Sequence, residues 1–140
     1  MNEYDLVYAA GFFDGEGSID ISNRKEKNRI RYILQVRVGQ SKEVGKQICN
    51  WLQLNFDGYI FSRDREKNIE YLWTVTAQKA FKFLSQIYPY LKGKKNQANL
   101  AIEFAQEMNK NLGKPWQLEK YSYYETAKQE MHFLNGTKGK

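Results

Sequence analysis

The stretch AAGFFDGEGSI, residues 9–19, sets two carboxylates, Asp14 and Glu16, among three glycines at the end of an apolar run. A core helix needs no acid there, and an ordinary turn needs only one glycine. If the run is a helix ending near Gly15, Glu16 lies beside the negative end of the helix dipole, where an anion is disfavoured. The unsatisfied carbonyls of the last turn point the same way. A hard divalent cation would resolve the conflict, because Mg²⁺ accepts carboxylate and carbonyl oxygens and keeps several waters. Gly15 and Gly17 would let a second backbone, or a phosphate, come close. The local alternative is a helix C-cap carrying two solvated acids.

A second set of candidates lies in RIRYILQVRV, residues 29–38. Strand alternation puts Arg29, Arg31, Ile33, Gln35 and Arg37 on one face and Ile30, Tyr32, Leu34, Val36 and Val38 on the other. Arginine and glutamine read guanine and adenine edges in the major groove, and the row contains no acid. Arg63 and Arg65 repeat the spacing. A solvated face of an antiparallel sheet would also be polar. Lys92, Lys94 and Lys95 form a basic loop of the kind that is usually only solvated. His132 is the single histidine, which excludes a histidine-based metal cluster. Cys49 is the single cysteine, which excludes an intramolecular disulfide and a cysteine-rich zinc site; it reads as a small buried hydrophobe.

The elements that must hold these residues follow from periodicity and punctuation. Residues 4–13 predict a helix that is apolar nearly all round, with Gly15 as its C′ stop. Its small residues Ala9, Ala10 and Gly11 would let another backbone approach. Ser18–Arg24 and residues 29–38 predict a hairpin. A helix should open at Ser41 as N-cap and run to about Leu54. Strands at about 59–65 and 69–76 flank REKN. The facing of the second stays open, since Tyr71 and Trp73 share one parity and Leu72 and Thr74 the other. Helices over about 78–91 and 96–111 flank KGKKN, and a last one fills about 117–134 after Pro115. This order predicts an α+β domain whose helices cover one face of an antiparallel sheet.

A chain of 140 residues is most simply one domain, and 41% apolar with 15% aromatic content supports a packed core rather than global disorder. The balance of 22 basic to 16 acidic residues, formally +6, favours a polyanionic partner. The polar start MNEYD and the early break at Asp14 argue against a signal peptide, and no run approaches the ~20 apolar residues of a membrane span. A soluble, intracellular protein of open compartment is expected.

Taken together, the motifs resemble those of the LAGLIDADG homing endonucleases. AAGFFDGEGSI is similar to the family motif of small residues, large apolar residues and Asp-Gly-Asp/Glu-Gly-Ser, densest over Tyr8–Ile19. QIYPYLKGKKNQANL, residues 86–100, resembles the family segment near its C-terminal helix. The resemblance covers about residues 4–110 and implies an αββαββα core with a saddle-shaped antiparallel sheet and extra C-terminal helices. An endonuclease domain over 1–112 is expected, with 113–140 adding a helix and basic tail to the same domain. The resemblance implies an intron-encoded, site-specific DNA endonuclease making metal-dependent double-strand cuts that leave 5′-phosphate and 3′-hydroxyl ends. It assigns Glu16 as the catalytic, metal-binding acid, the Gly15 carbonyl as a further ligand, and Mg²⁺ (with Mn²⁺ as substitute) as the ion. Gln40 would orient water and Lys94 would act near the scissile phosphate. Arg24, Arg29, Arg31, Gln35, Arg37, Arg63 and Arg65 would face DNA; from charge alone, Lys138 and Lys140 could touch phosphates. A single motif copy implies a homodimer on a pseudo-palindromic target, with Ala9, Ala10, Phe13 and Asp14 at the interface. Asp14 would also stabilise the helix end. The rival readings are an RNA-binding intron maturase of the same fold and a DNA-binding protein that does not cleave.

Overall fold

A computed structural model describes residues 1–115 and 117–136 of the chain. The first helix, α1 (Glu3–Glu16), opens on a capping box in which Asp5 N–H donates to Asn2 Oδ1 at 2.9 Å and Asn2 N–H returns a bond to Asp5. The helix does not stop at Gly15 but runs through it. Gly17 is the cap, in an extended conformation (φ −93°, ψ 169°), and its N–H donates to the Phe13 carbonyl. The reason is steric: a Cβ on Gly17 would overlap the ring of Phe13, which is buried at 1% exposure. Glycine is needed there for close approach rather than for a left-handed turn.

The chain continues as β1 (Gly17–Glu26), β2 (Arg29–Ser41), α2 (Lys42–Phe56), β3 (Tyr59–Asp64), β4 (Ile69–Thr76) and α3 (Ala77–Ile87). A 3₁₀ turn over Tyr88–Tyr90 follows, then α4 (Lys95–Lys110) and α5 (Leu118–Leu134). The expected helix over 78–91 ends early because Pro89 has no N–H to continue the α pattern. Ser41 does stand at the N-cap of α2, but its side chain makes no capping bond. Lys42 there takes a left-handed conformation (φ 68°) to turn the chain from β2 into the helix.

The four strands form one antiparallel sheet in the order β1-β2-β4-β3. The alternation expected in β2 is present: Tyr32, Leu34, Val36 and Val38 are buried under the helices while the arginine row faces away. β4 lies inside the sheet, and its facing is now resolved. Trp73 and Val75 enter the core beneath the helices. Leu72 and Thr74 point to the open face, yet they too are buried, at 3% and 0% exposure, because neighbours on β2 and β3 flank them. Burial on both faces erased the alternation that sequence would have shown.

Phe83 of α3 is the hub of the core. Its ring meets Phe13 at 5.5 Å, Phe56 at 4.8 Å and Trp73 at 5.0 Å, each edge-on, a geometry worth about 0.5–1.5 kcal/mol per pair beyond burial. Trp73 Nε1 donates to the Asp57 carbonyl at 2.8 Å, so the buried indole is satisfied. Cys49 is buried and its thiol is pushed up by desolvation. The last helix also joins this core: Met131 is fully buried, Tyr32 Oη donates to Glu125 at 2.6 Å, and Asn135 Nδ2 donates to the Ile19 carbonyl at 2.8 Å.

Candidate active site and nucleic-acid interface

The register Gly17↔Val38↔Trp73 sets the C-terminal end of α1 beside the end of β2. Gln40 therefore reaches Glu16: its Nε2 donates to Glu16 Oε1 at 3.0 Å and also contacts the Gly39 carbonyl at 2.7 Å. Gln40 can sit this close to α2 because Gly45 lacks a side chain; a Cβ there would lie 2.7 Å from Gln40 Cβ and 2.9 Å from its carbonyl carbon. Glu16 is exposed and has no cationic side chain paired with it among the described residues.

Asp14 works on the other side of the same helix end. Its carboxylate accepts the backbone N–H of Lys92 at 2.8 Å and of Lys94 at 2.9 Å, pinning the turn before α4. Burial opposes its ionisation, but the N–H groups of Lys92, Gly93 and Lys94 and the Lys94 charge outweigh it and hold the carboxyl below its ordinary range. The pinned turn delivers Lys94, whose Nζ donates to the Asp14 carbonyl at 2.8 Å. Glu16, Gln40 and Lys94 thus converge on one helix end from three distant parts of the chain. Lys92 and Lys95 share the turn, and the Lys95 ammonium stands 5.2 Å from the Tyr88 ring centroid. His132 is exposed on α5, away from these elements.

The arginines all occur on or beside the open face, but five of the six stand beside an acid. Glu26, opposite Arg29 in register, lies within 4.0 Å of Arg24, Arg29 and Arg31. Glu70, opposite Arg63, is 2.7 Å from Arg63 and 3.0 Å from Arg65, and these two arginines hold its carboxyl below the ordinary range. The acids sit on the neighbouring strands, where inspection of β2 alone could not find them. Exposed pairs of this kind are worth about 0–1 kcal/mol and are screened by salt, so phosphates can replace the glutamates. Gln35 and Arg37 continue the row toward the end of α1. Lys138 and Lys140 lie outside the described residues.

The four residues expected at a subunit interface are placed differently. Ala9, Ala10 and Phe13 are buried at 1%, 0% and 1% in this chain's own core, and Asp14 is committed to the 92–94 turn. The exposed side of α1 instead carries Tyr4 (84%), Val7 (46%) and Tyr8 (51%). Gly11 and Gly15 continue that side, and a Cβ on either would meet nothing within 4 Å. Sequence reasoning also missed Tyr59 and Phe61 on the open face of β3; their parity with Arg63 and Arg65 was the available signal.

The family model described as LAGLIDADG endonuclease matches residues 9–108, well over half of the chain. The chain belongs to this family. The LAGLIDADG fold is matched in solved structures at low sequence identity. The homing endonuclease I-CvuI, in complex with the I-CreI target with magnesium present and the DNA not cleaved, is 17% identical with a TM-score of 0.80, covering 99% of this chain and 86% of that one. The archaeal intron-encoded homing endonuclease I-Vdi141I complexed with DNA is 16% identical with a TM-score of 0.77, covering 99% and 87%. Meganuclease I-SmaMI bound to uncleavable DNA is 20% identical with a TM-score of 0.73, covering 95% of this chain and 46% of that one. No curated protein sequence matches the chain. No helix among the described residues is long and apolar enough to cross a membrane.

Proposed function

We propose that this LAGLIDADG chain is a site-specific DNA endonuclease that cuts both strands of a pseudo-palindromic target as a homodimer. The observation that carries the reading is the 3.0 Å bond between Gln40 and Glu16, with Lys94 anchored 2.8 Å from the Asp14 carbonyl at the same helix end. An acid, a water-orienting amide and a cation meet there at the edge of an arginine-bearing sheet face.

The donor set suits a hard divalent ion. Glu16 offers a carboxylate with no cationic partner among the described residues, and the Gly15 carbonyl, in the last helical turn, has no i+4 donor. Among the described residues no group of three or more acidic, cysteine or histidine side chains could enclose an ion. A site of one carboxylate per chain, completed by a second copy and by phosphate oxygens, fits Mg²⁺, which keeps its waters and takes few protein ligands. I-CvuI complexes with magnesium and with calcium support a divalent metal. Bound there, the ion would activate water and stabilise the leaving oxygen. Glu16 would hold it, Gln40 would fix the Glu16 rotamer and orient solvent, and Lys94 would bring positive charge to the phosphate. The products are 5′-phosphate and 3′-hydroxyl ends.

The exposed stripe Tyr4–Val7–Tyr8–Gly11–Gly15 supports a second copy packing on α1, replacing the interface expected at Ala9, Ala10 and Phe13. The chain spans 86% of I-CvuI but 46% of I-SmaMI, the relation expected of a half-sized unit. Two Glu16 carboxylates brought together across this face would repel without cations between them.

The test is a plasmid carrying the uninterrupted host site, incubated with Mg²⁺ or with EDTA. The protein should linearise it only with Mg²⁺. Glu16→Gln should bind the site with near-unchanged affinity and cut more than about 100-fold more slowly, beyond the cost of losing an outer-shell partner of a metal. Cutting in EDTA, or at the normal rate by Glu16→Gln, would overturn the assignment.

A further inference from the structure

The open face of the sheet is not polar throughout. Tyr59 and Phe61 of β3 are 49% and 40% exposed there, with rings stacked at 6.0 Å between centroids and 25° between planes. Register sets Tyr59 against Thr74, which pairs in turn with Arg37, and Phe61 against Leu72, which pairs with Gly39. Leu72 is buried at 3% but stands apart from the core beneath the helices. Its Cδ2 lies 3.2 Å from where a Gly39 Cβ would be, so it fills the floor of a small apolar patch under the aromatic pair.

Charge of both signs borders this patch: Glu70 Oε2 lies 2.8 Å from where a Gly39 Cβ would be, and Arg63 pairs with the same carboxylate. Arg63 follows Phe61 on the same side of β3. Arg37 lies across the sheet and, alone among the six arginines, has no carboxylate partner among the described residues. Its Nε and the Thr74 Oγ1 are buried without hydrogen-bond partners among the described residues. An exposed apolar patch on a face that also carries Arg37, Arg63 and Arg65 complements a DNA major groove, whose one apolar feature is the thymine C5-methyl group.

Resting on the DNA-cutting reading above, we propose that Tyr59 and Phe61 are specificity-determining residues that read thymine through its methyl group. Ser18, two residues beyond Glu16, pairs with Arg37 and so shares the row of Tyr59. Arg31 lies six residues farther along β2, about 20 Å away at strand rise. The thymines read by the aromatic pair are therefore nearer the cut than the bases facing Arg24, Arg29 and Arg31.

The test begins with a target selected from randomised duplexes, in which each thymine is then replaced singly by deoxyuridine, which lacks only the methyl. At one or two inner positions of each half-site, the substitution should weaken binding by the unaltered protein about four-fold, the equivalent of one lost CH₂ burial. The double variant Tyr59→Ser/Phe61→Ser should bind the thymine and uracil duplexes equally at those positions; Phe61→Thr alone carries this arm if the double variant does not fold. Phe61→Tyr should retain the preference. A flat uracil scan, or a thymine preference that survives the serine or threonine substitutions, overturns the proposal. If the protein selects and cuts DNA but the scan is flat, this inference fails alone. If it selects no DNA at all, the DNA-cutting reading fails with it.

Discussion

Asp14 shows how much a single side chain organises here. It lies 78 and 80 residues from the two N–H groups that it accepts, and it fixes the turn that presents Lys94. Bonds to an ionised acceptor contribute about 1.5–3 kcal/mol, so Asp14 competes with any core contact in importance. Asp14→Asn replaces one acceptor oxygen by a donor facing an N–H. At neutral pH this variant should lose about 1–3 kcal/mol in denaturant unfolding and should cut DNA more slowly than its residual folded fraction explains, because the turn that presents Lys94 is no longer pinned at both N–H groups. An unchanged unfolding midpoint would refute this structural role. Glu16, by contrast, is exposed, and the one bond it accepts, from Gln40, can be kept by a glutamine oxygen, so Glu16→Gln should leave stability unchanged within about 0.5 kcal/mol.

At the scale of elements, the contact of α2 with the end of β2 matters most for the site. Gly45→Ala would drive a methyl into the Gln40 backbone, which cannot yield as a flexible side chain would. A loss of about 1–3 kcal/mol is expected, together with slower cutting although Glu16, Gln40 and Lys94 are all retained. α5 contributes in another way, clamping β2 through Tyr32 and Glu125. Burial and then the Glu125 bond raise the Tyr32 phenol far above its ordinary value of 10.0, and the same bond lowers the carboxyl of Glu125. A raised folded pKa means that the stabilisation is complete below pH 10 and is lost as pH climbs above it. Tyr32→Phe should therefore cost about 1 kcal/mol at pH 8, and the gap from the unaltered protein should narrow in melts taken above pH 10. A gap that widens with pH would contradict the clamp.

At the scale of the whole molecule, the surface on which the proposed dimer depends is the exposed side of α1. Gly11→Arg adds a large side chain where nothing lies within 4 Å in the single chain, and arginine favours an exposed helix over glycine by about 0.5–1 kcal/mol. The variant should melt no lower than the parent, yet sediment as a monomer on its target and fail to make double-strand breaks. A Gly11→Arg protein that still cuts both strands would exclude α1 as the dimer contact.

What local pattern encodes could be read directly from the chain. The period of two in β2 fixed which residues face the helices, the turn residues delimited the hairpins, and the spacing in AAGFFDGEGSI marked Glu16. The tertiary structure decided what local pattern leaves undetermined. α1 is apolar nearly all round, so no stripe announces which side will be covered; Phe83 and its neighbours covered Ala9, Ala10 and Phe13 and left Tyr4, Val7 and Tyr8 outside. β4 is buried on both faces, so its alternation was absent until the strand order placed it beside β2. The arginines met Glu26 and Glu70 through register across strands, and Lys94 met Asp14 across 80 residues. Periodicity is a property of one segment, whereas burial and charge pairing depend on what packs against it.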